Sequence, residues 1–247
     1  MGFDSSSHKA IQSEDGSYTA YSTQFDEHYH STKDGALHES LSKHVNPALE
    51  HTKDKDEITI LDICFGLGFN TFATLYALKN SKKKINIYSP EFDKELIASL
   101  KDFNYPKEFD EFKELITLLS DEGKYESKDL NITIYLGDAR TFVRDTKVKF
   151  DIVYQDAFSP KSNPLLWTSE YFKDIYSRMK EDAILTTYSI SLPTRIALSE
   201  NGLNVYLQKG EGFRASTLAS KSVLSKYEKV DVEHKMACNP DVSSLKD

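Results

Sequence analysis

Along this chain the apolar residues gather into short β-rich runs, and the segments between them carry helical spacing. Runs at 58–64, 85–89, 132–136, 150–154, 183–188, 203–207 and 217–220 read as seven strands. Residues 71–78, 94–101, 108–119, 168–179 and 192–200 read as helices, the third with Phe109, Phe112, Leu115, Ile116 and Leu119 on one face. Thr168 is placed to cap the fourth, and Asn201-Gly202 to close the fifth. Strands that alternate with helices and then finish on a hairpin predict one α/β domain. Its sheet is mostly parallel, with one antiparallel strand late in the order. Residues 39–51 read as a short helix reaching Pro47 or just past it. Residues 1–17 are polar apart from Phe3 and Ile11 and read as a loose lead-in. The next stretch, 18–38, mixes aromatic and polar residues without a clean period, as a cap over a core or the lining of a site does. The expected division is an N-terminal cap at 1–50, an α/β domain at 51–230 and a frayed polar tail at 231–247.

The first strand runs into a turn that carries candidate chemistry, ITILDICFGLGFN at 58–70. Gly66 and Gly68 let the backbone bend sharply and approach a ligand without a Cβ in the way. The helix behind them aims its unpaired N–H groups and the positive end of its dipole at the turn, which suits an anionic group. The motif is not the full dinucleotide fingerprint, because position 71 is Thr, and no phosphate-binding lysine follows. On spacing alone it fits a plain strand-to-helix turn as well as a nucleotide-type site. Three acids tip the balance. Glu91, Asp138 and Asp156 each follow the end of one of three consecutive strands. In a parallel sheet those ends share the edge where ligands bind. Glu91 lies 23 positions after Gly68, where a ribose-binding carboxylate stands in nucleotide-binding α/β folds.

Composition narrows the setting. At 247 residues, with 39% hydrophobic and 12% aromatic residues, the chain has a globular composition and the length of one large domain. It contains no apolar run of about 18 residues and no signal-peptide core, so a cytoplasmic protein without a membrane segment is expected. Cys64 and Cys238 make neither a disulfide framework nor a zinc pattern. His28, His30, His38 and His44 show no familiar ligand spacing, so no metal is expected. A net charge of −8 weighs against an extended nucleic-acid surface but leaves room for a local basic patch. Lys82, Lys83 and Lys84 form one basic run; Lys209, Arg214, Lys221, Lys226 and Lys229 form another.

Together the glycine turn, Glu91, Gly137-Asp138-Ala139 and the acid-aromatic-proline segment at 156–160 resemble the Rossmann-like class I S-adenosylmethionine-dependent methyltransferases. More narrowly, DAFSPKSNPLLWT at 156–168 resembles the methyltransferase half of the MnmC family of bacterial tRNA wobble-uridine modification enzymes. DGSYTAYSTQFDEHYHSTKDGALHES at 15–40 and EGFRASTLAS at 211–220 are similar to that family's N-terminal segment and late glycine-arginine loop. The resemblance implies methyl transfer from S-adenosylmethionine to the aminomethyl group on carbon 5 of the wobble (2-thio)uridine of tRNA, within the anticodon stem-loop. Nothing resembles the FAD-dependent half that MnmC often carries, so no FAD is expected.

On the family's pattern Gly66, Gly68 and Asn70 hold the methionine moiety, Glu91 the ribose, and Asp138 with Ala139 the adenine edge. Tyr29, His30 and Glu39 form the cap over the cofactor. Asp156 is the expected catalytic carboxylate, which orients the amine and takes its proton. Phe158, Pro160, Asn163, Pro164 and Trp167 form the wall for the flipped base. Lys161, Lys209, Arg214 and Lys221 meet tRNA phosphates. The chain departs from its relatives with Asp62 where a glutamate is frequent and with a single arginine in the late loop. Two other readings stay open. One is a methyltransferase or aminopropyltransferase-like enzyme acting on a small amine, which the acidic charge suits. The other is a non-catalytic Rossmann-like binding module.

Overall fold

The computed structural model describes residues 2–247. Strands β1 (His8–Gln12), β2 (Tyr18–Ser22) and β3 (Glu27–His28) open the chain as a small antiparallel sheet. The expected loose lead-in is therefore an ordered cap. Phe3 is buried edge-on against Phe103, with ring centroids 4.7 Å apart, and His8 Nε2 lies 3.1 Å from Asp93.

A continuous helical stretch follows over 36–51. It consists of α1 (Ala36–Glu39), a π-helical turn (Ser40–Val45) and α2 (Asn46–His51). Such turns are rare. Pro47 has no N–H, so in an i→i+5 pattern the Ser42 carbonyl is left without its partner. Gln208 Nε2 donates to that carbonyl at 2.6 Å and ties the helix to the far end of the chain.

The main sheet has nine strands. They are β4 (Glu57–Ile63), β5 (Lys84–Glu91), β6 (Lys124–Glu126), β7 (Leu130–Leu136), β8 (Phe150–Gln155), β9 (Met179–Thr187), β10 (Asn204–Gln208), β11 (Ser216–Ser220) and β12 (Glu228–Lys229), in the order β12-β10-β11-β9-β8-β4-β5-β7-β6. The five strands from β9 to β7 pair in parallel. β11 inserts antiparallel between β9 and β10. All seven expected strands are present, and β11 is the one among them that runs against the rest. The two added edge strands, β6 and β12, are three and two residues long, too short to show a period.

Helices α3 (Phe69–Leu78), α4 (Lys94–Ser99), α5 (Lys113–Glu122), α6 (Ala139–Asp145), α7 (Ser169–Arg178) and α8 (Leu192–Glu200) connect the strands. Thr168 caps α7 by accepting from the Tyr171 N–H, and Gly202, at φ +85°, follows the end of α8. The helix expected over 108–119 is split. A 3₁₀ turn (Lys107–Phe112) precedes α5 and carries Phe109 into a cluster with Phe69, Phe72 and Tyr105. Alternation along β4 sends Ile58 and Ile60 to that aromatic side and Leu61 and Ile63 to the core of Trp167, Tyr171 and Phe172. The polar tail does not fray either. It forms α9 (Val232–Ala237), and the Thr168 hydroxyl donates to Asp247 at 2.8 Å.

At the edge where the parallel strands begin, Asp151 is buried and accepts from Lys55 Nζ at 2.6 Å, Lys180 Nζ at 2.7 Å and the Thr59 N–H at 2.8 Å. Asp151→Ala leaves that N–H without its acceptor and Lys180 without its counter-charge, while Lys55 keeps Asp182 at 2.7 Å. The expected cost is about 2–3 kcal/mol. It should appear as a lower urea midpoint with an unchanged slope.

Candidate active site

The carboxyl ends of the parallel strands share one edge, and a cavity of about 920 Å³ opens there beneath the cap. Gly66, Glu91, Asp138, Ala139, Asp156 and Phe158 line it from the strand ends, and Tyr29, His30 and Glu39 line it from the cap. Sequence reasoning assigned all nine to the site; the fold brings them to one cavity.

Glu91 holds the wall at the end of β5. Its Oε2 accepts from the Gly66 N–H at 2.9 Å and its Oε1 from the Asp93 N–H at 2.8 Å. Burial pushes its carboxyl up, and those two donors pull it back. Each oxygen keeps a further lone pair, which suits the hydroxyls of a sugar. The Gly66 N–H is thus engaged within the protein. Gly66 still needs to be glycine, because a Cβ there would stand 3.2 Å from the Tyr29 ring, at φ +54°. Gly68 is different. At φ +75° it begins α3, a Cβ on it would meet Phe72 at 2.5 Å and Phe65 at 2.7 Å, and it does not line the cavity. Asp138 caps α6, accepting from the Thr141 N–H at 2.8 Å.

Asp156 forms the floor, with its side chain 16% exposed. Asn70 Nδ2 donates to Oδ2 at 2.8 Å, and His44 Nε2 lies 3.4 Å from Oδ1. Asn70 therefore serves Asp156, and it too lies off the cavity wall. Burial alone would raise the Asp156 carboxyl, but His44 above all, then His30 and Asn70, hold it well below the usual carboxylate range. Its neighbour Asp62 goes the other way. Burial pushes Asp62 up to about 7, against a hydrogen bond from the Thr71 hydroxyl at 2.8 Å, and its Oδ1 has no partner. Burial also lowers His30, which keeps that ring neutral at pH 7, and raises the Tyr29 hydroxyl, with Glu91 and Asp93 adding to the effect. The cap is clamped to the loop after β8. Glu27 accepts from the Ser159 N–H at 2.9 Å and from the Ser159 hydroxyl, and Phe25 stacks on Phe158 at 4.6 Å.

Other expected positions fall elsewhere. Trp167 is fully buried, and its Nε1 donates to the Phe158 carbonyl at 2.8 Å, so it supports the loop from behind instead of facing a base. Asn163 lines the cavity together with Leu165, whereas Pro160, Lys161 and Pro164 do not. Lys221 donates to the Met179 carbonyl at 2.9 Å and pairs with Glu181 at the opposite edge of the sheet, away from the site. Lys209 pairs with Glu228 on the surface, and only Arg214 of the late basic residues reaches the cavity. His44 and Glu27 escaped sequence reasoning, since their partners lie far along the chain. Pro47 inside a helical pattern is the local sign that the backbone around His44 is unusual. Among the described residues no three His, Cys, Asp or Glu side chains are grouped to hold a metal, and no helix is long and apolar enough to cross a membrane.

A parallel core with a glycine turn and three acids at successive strand ends defines a class I S-adenosyl-L-methionine-dependent methyltransferase. Residues 109–222 match the profile of a family described in those terms, S-adenosyl-L-methionine-dependent methyltransferase. The fold superposes on the crystal structure of MnmC2 from Aquifex aeolicus with a TM-score of 0.85 at 33% identity, over 100% of this chain and 81% of that one. This chain belongs to the MnmC family of methyltransferases. It is also 34% identical to protein MJ0670 of Methanocaldococcus jannaschii, over 87% of this chain and 60% of that protein. To the tRNA 5-methylaminomethyl-2-thiouridine biosynthesis bifunctional protein MnmC of Ralstonia nicotianae it is 28% identical, over 79% of this chain and 31% of that protein. The chain thus spans 60% or less of the length of these two relatives. A probable spermidine synthase from Corynebacterium glutamicum shares the fold, with a TM-score of 0.60 at 10% identity. The cavity fits the cofactor of the class: its volume suits a nucleoside-sized ligand, and Glu91 offers free lone pairs for a ribose.

The Asp62 environment makes a stability prediction. A carboxyl raised from its ordinary value to about 7 favours folding only while protonated. Its contribution is full below about pH 4 and is lost as pH rises toward and through about 7. Asp62→Asn keeps an acceptor for Thr71 and removes that loss. Above about pH 7 the variant should exceed the wild type by up to about 4 kcal/mol, and the difference should vanish near pH 4, read from unfolding midpoints across pH.

Proposed function

We propose that this chain methylates the aminomethyl group on carbon 5 of the wobble (2-thio)uridine of tRNA, in the cytoplasm, with S-adenosylmethionine as donor. The observation that carries the reading is the Asp156 carboxylate in the floor of the cavity, flanked by Asn70 at 2.8 Å and His44 at 3.4 Å and placed to receive an amine. The named biosynthetic role of the Ralstonia relative, 5-methylaminomethyl-2-thiouridine, supplies the substrate. S-adenosylmethionine brings a methyl on a sulfonium: a nitrogen–carbon bond forms as the carbon–sulfur bond breaks, sulfur keeps the electron pair, and positive charge passes to nitrogen.

The protein's part is placement and charge. Glu91 accepts from the ribose, and Asp138 and Ala139 hold the adenine edge. Tyr29, His30 and Glu39 close over the site from the cap, where exclusion of water strengthens each polar contact. Asp156 accepts an N–H of the amine, points its lone pair at the methyl and faces the charge that develops on nitrogen. Phe158, Asn163 and Leu165 offer a surface for the extruded base, and Arg214 and Lys161 meet phosphates. A second reading, a small free amine as substrate, is favoured by the net charge of −8.

Incubation with labelled S-adenosylmethionine and tRNA lacking this methyl group, then nucleoside mass spectrometry, should show methylaminomethyl-uridine. Asp156→Asn should cut turnover about 100-fold or more while the cofactor dissociation constant holds. Labelling of a polyamine with tRNA left unlabelled would establish the second reading instead. Arg214→Ala should weaken tRNA binding and flatten its dependence on log salt by about 0.7–0.9, the slope of one phosphate contact. An unaltered slope would take Arg214 off the tRNA path.

A further inference from the structure

His44 stands directly behind Asp156. It is 1% exposed, its Nε2 lies 3.4 Å from Asp156 Oδ1 in a contact that is not aligned as a hydrogen bond, and that nitrogen has no other partner. Its Nδ1 lies 2.9 Å from the Thr186 hydroxyl. An ionised carboxylate can only accept, so the ring carries a proton on Nε2, and in the neutral ring the Thr186 hydroxyl donates to Nδ1. Asn70 meets the other carboxylate oxygen at 2.8 Å. Asp156 is therefore approached on both oxygens by protein groups, from α3 and from the π-helical turn. The turn itself is pinned by the bond from Gln208 to the Ser42 carbonyl. It turns the adjacent Lys43 and His44 both inward, Lys43 to the cavity wall and His44 to Asp156. π-helical turns recur at functional sites because the extra residue redirects side chains.

We propose that His44 is a positioning residue for this methyl transfer: through Nε2 it fixes the Asp156 carboxylate that faces the substrate amine, an inference that rests on the amine-methylating reading above. The electrostatics of the floor agree. Against burial, His44 is the main influence that keeps Asp156 below the ordinary carboxylate range. The other charged or titratable groups that act on this cluster are His30 and Glu39 from the cap, Lys43 from the π turn, Asp62 and Cys64 on β4 and its turn, and Tyr188 after β9. Lys43 is engaged with Glu39, which leaves the histidines as the groups that favour the Asp156 charge.

A carboxylate held this way is a poor resting place for a proton near pH 7. Within this proposal Asp156 orients the amine and does not take its proton. The proton of the incoming ammonium passes to water. Asp156 stays ionised, accepts an N–H of the neutral amine, and remains opposite the positive charge formed on nitrogen.

The test uses His44→Ala, His44→Gln and Thr186→Val in the full chain. The first readout is the ¹³C carboxyl titration of Asp156 in cofactor-free protein, assigned by its loss in Asp156→Asn. The second is kcat and KM on aminomethyl-uridine tRNA. In His44→Ala the Asp156 midpoint should rise and kcat should fall by about 10- to 100-fold. The cofactor dissociation constant and the KM for tRNA should stay within about twofold. His44→Gln, which places an amide N–H near the lost Nε2, should restore most of both readouts. Thr186→Val, which frees the ring, should fall between. Should His44→Ala not fold, the other two variants carry the same comparison. An Asp156 midpoint that stays at the wild-type value in the folded variants overturns the proposal. Wild-type protein that leaves tRNA unmethylated overturns the amine reading, and the carboxyl titration still decides the contact between His44 and Asp156.

Discussion

A negative charge in the floor of a half-closed cavity persists only where polar groups surround it, and Asp156 draws these from three separate parts of the chain. Asn70 comes from α3, His44 from the π-helical turn, and His30 from the cap. Each of these parts is fixed by a contact of its own. α3 starts at Gly68, whose missing Cβ leaves room for Phe65 and Phe72. The π turn hangs on Gln208 through the carbonyl that Pro47 leaves free. The cap is tied down by His8 to Asp93 and by Glu27 to Ser159. The floor of the site is thus where cap, helix and sheet edge are held in register.

An open α/β sheet offers its ligands a crevice with one side to solvent. Here the cap supplies the missing wall, and it does so largely with polar and aromatic contacts. Glu27 takes both donors of Ser159, Phe25 lies on Phe158, and Tyr29 meets the same ring edge-on at 4.9 Å. The loop that carries Asp156 is therefore held from above by the cap and from behind by Trp167. In the proposed function a carboxylate that meets an amine gains from that double support, because misplacement on the ångström scale costs about two orders of magnitude in rate.

The central sheet and the three acids were legible in the sequence because each rests on a local signal, an apolar run followed at once by a carboxylate. Thr168 and Gly202 were legible for the same reason, since caps are written within a few residues. What escaped depends on contacts across the chain. His44 is defined by Thr186, 142 positions away, and the π turn by Gln208, 166 positions away. The lead-in reads as loose because Phe3 and His8 find their partners, Phe103 and Asp93, in the domain below. Lys221 belongs to a basic run in sequence, yet β11 carries it to the edge opposite the cavity. Trp167 stands in a recognisable motif whose pattern cannot say whether the indole faces the cavity or the core.

Asp62 and Asp156 show why the surrounding groups matter more than residue type. Both are acids at the ends of neighbouring parallel strands or just beyond, both are removed from most solvent, and the Asp156 charge acts on Asp62. Two buried carboxylates this close do not both ionise readily near neutral pH. Asp156 has His44, His30 and Asn70 against its burial; for Asp62 burial outweighs the Thr71 hydroxyl and the weaker pull of His44 and Asn70, and it is driven up to about 7 with one oxygen unpartnered. Neighbouring acids pushed apart in this way divide their labour. On the proposed reading the ionised one meets the amine, and the one raised to about 7 spares the floor a full second negative charge.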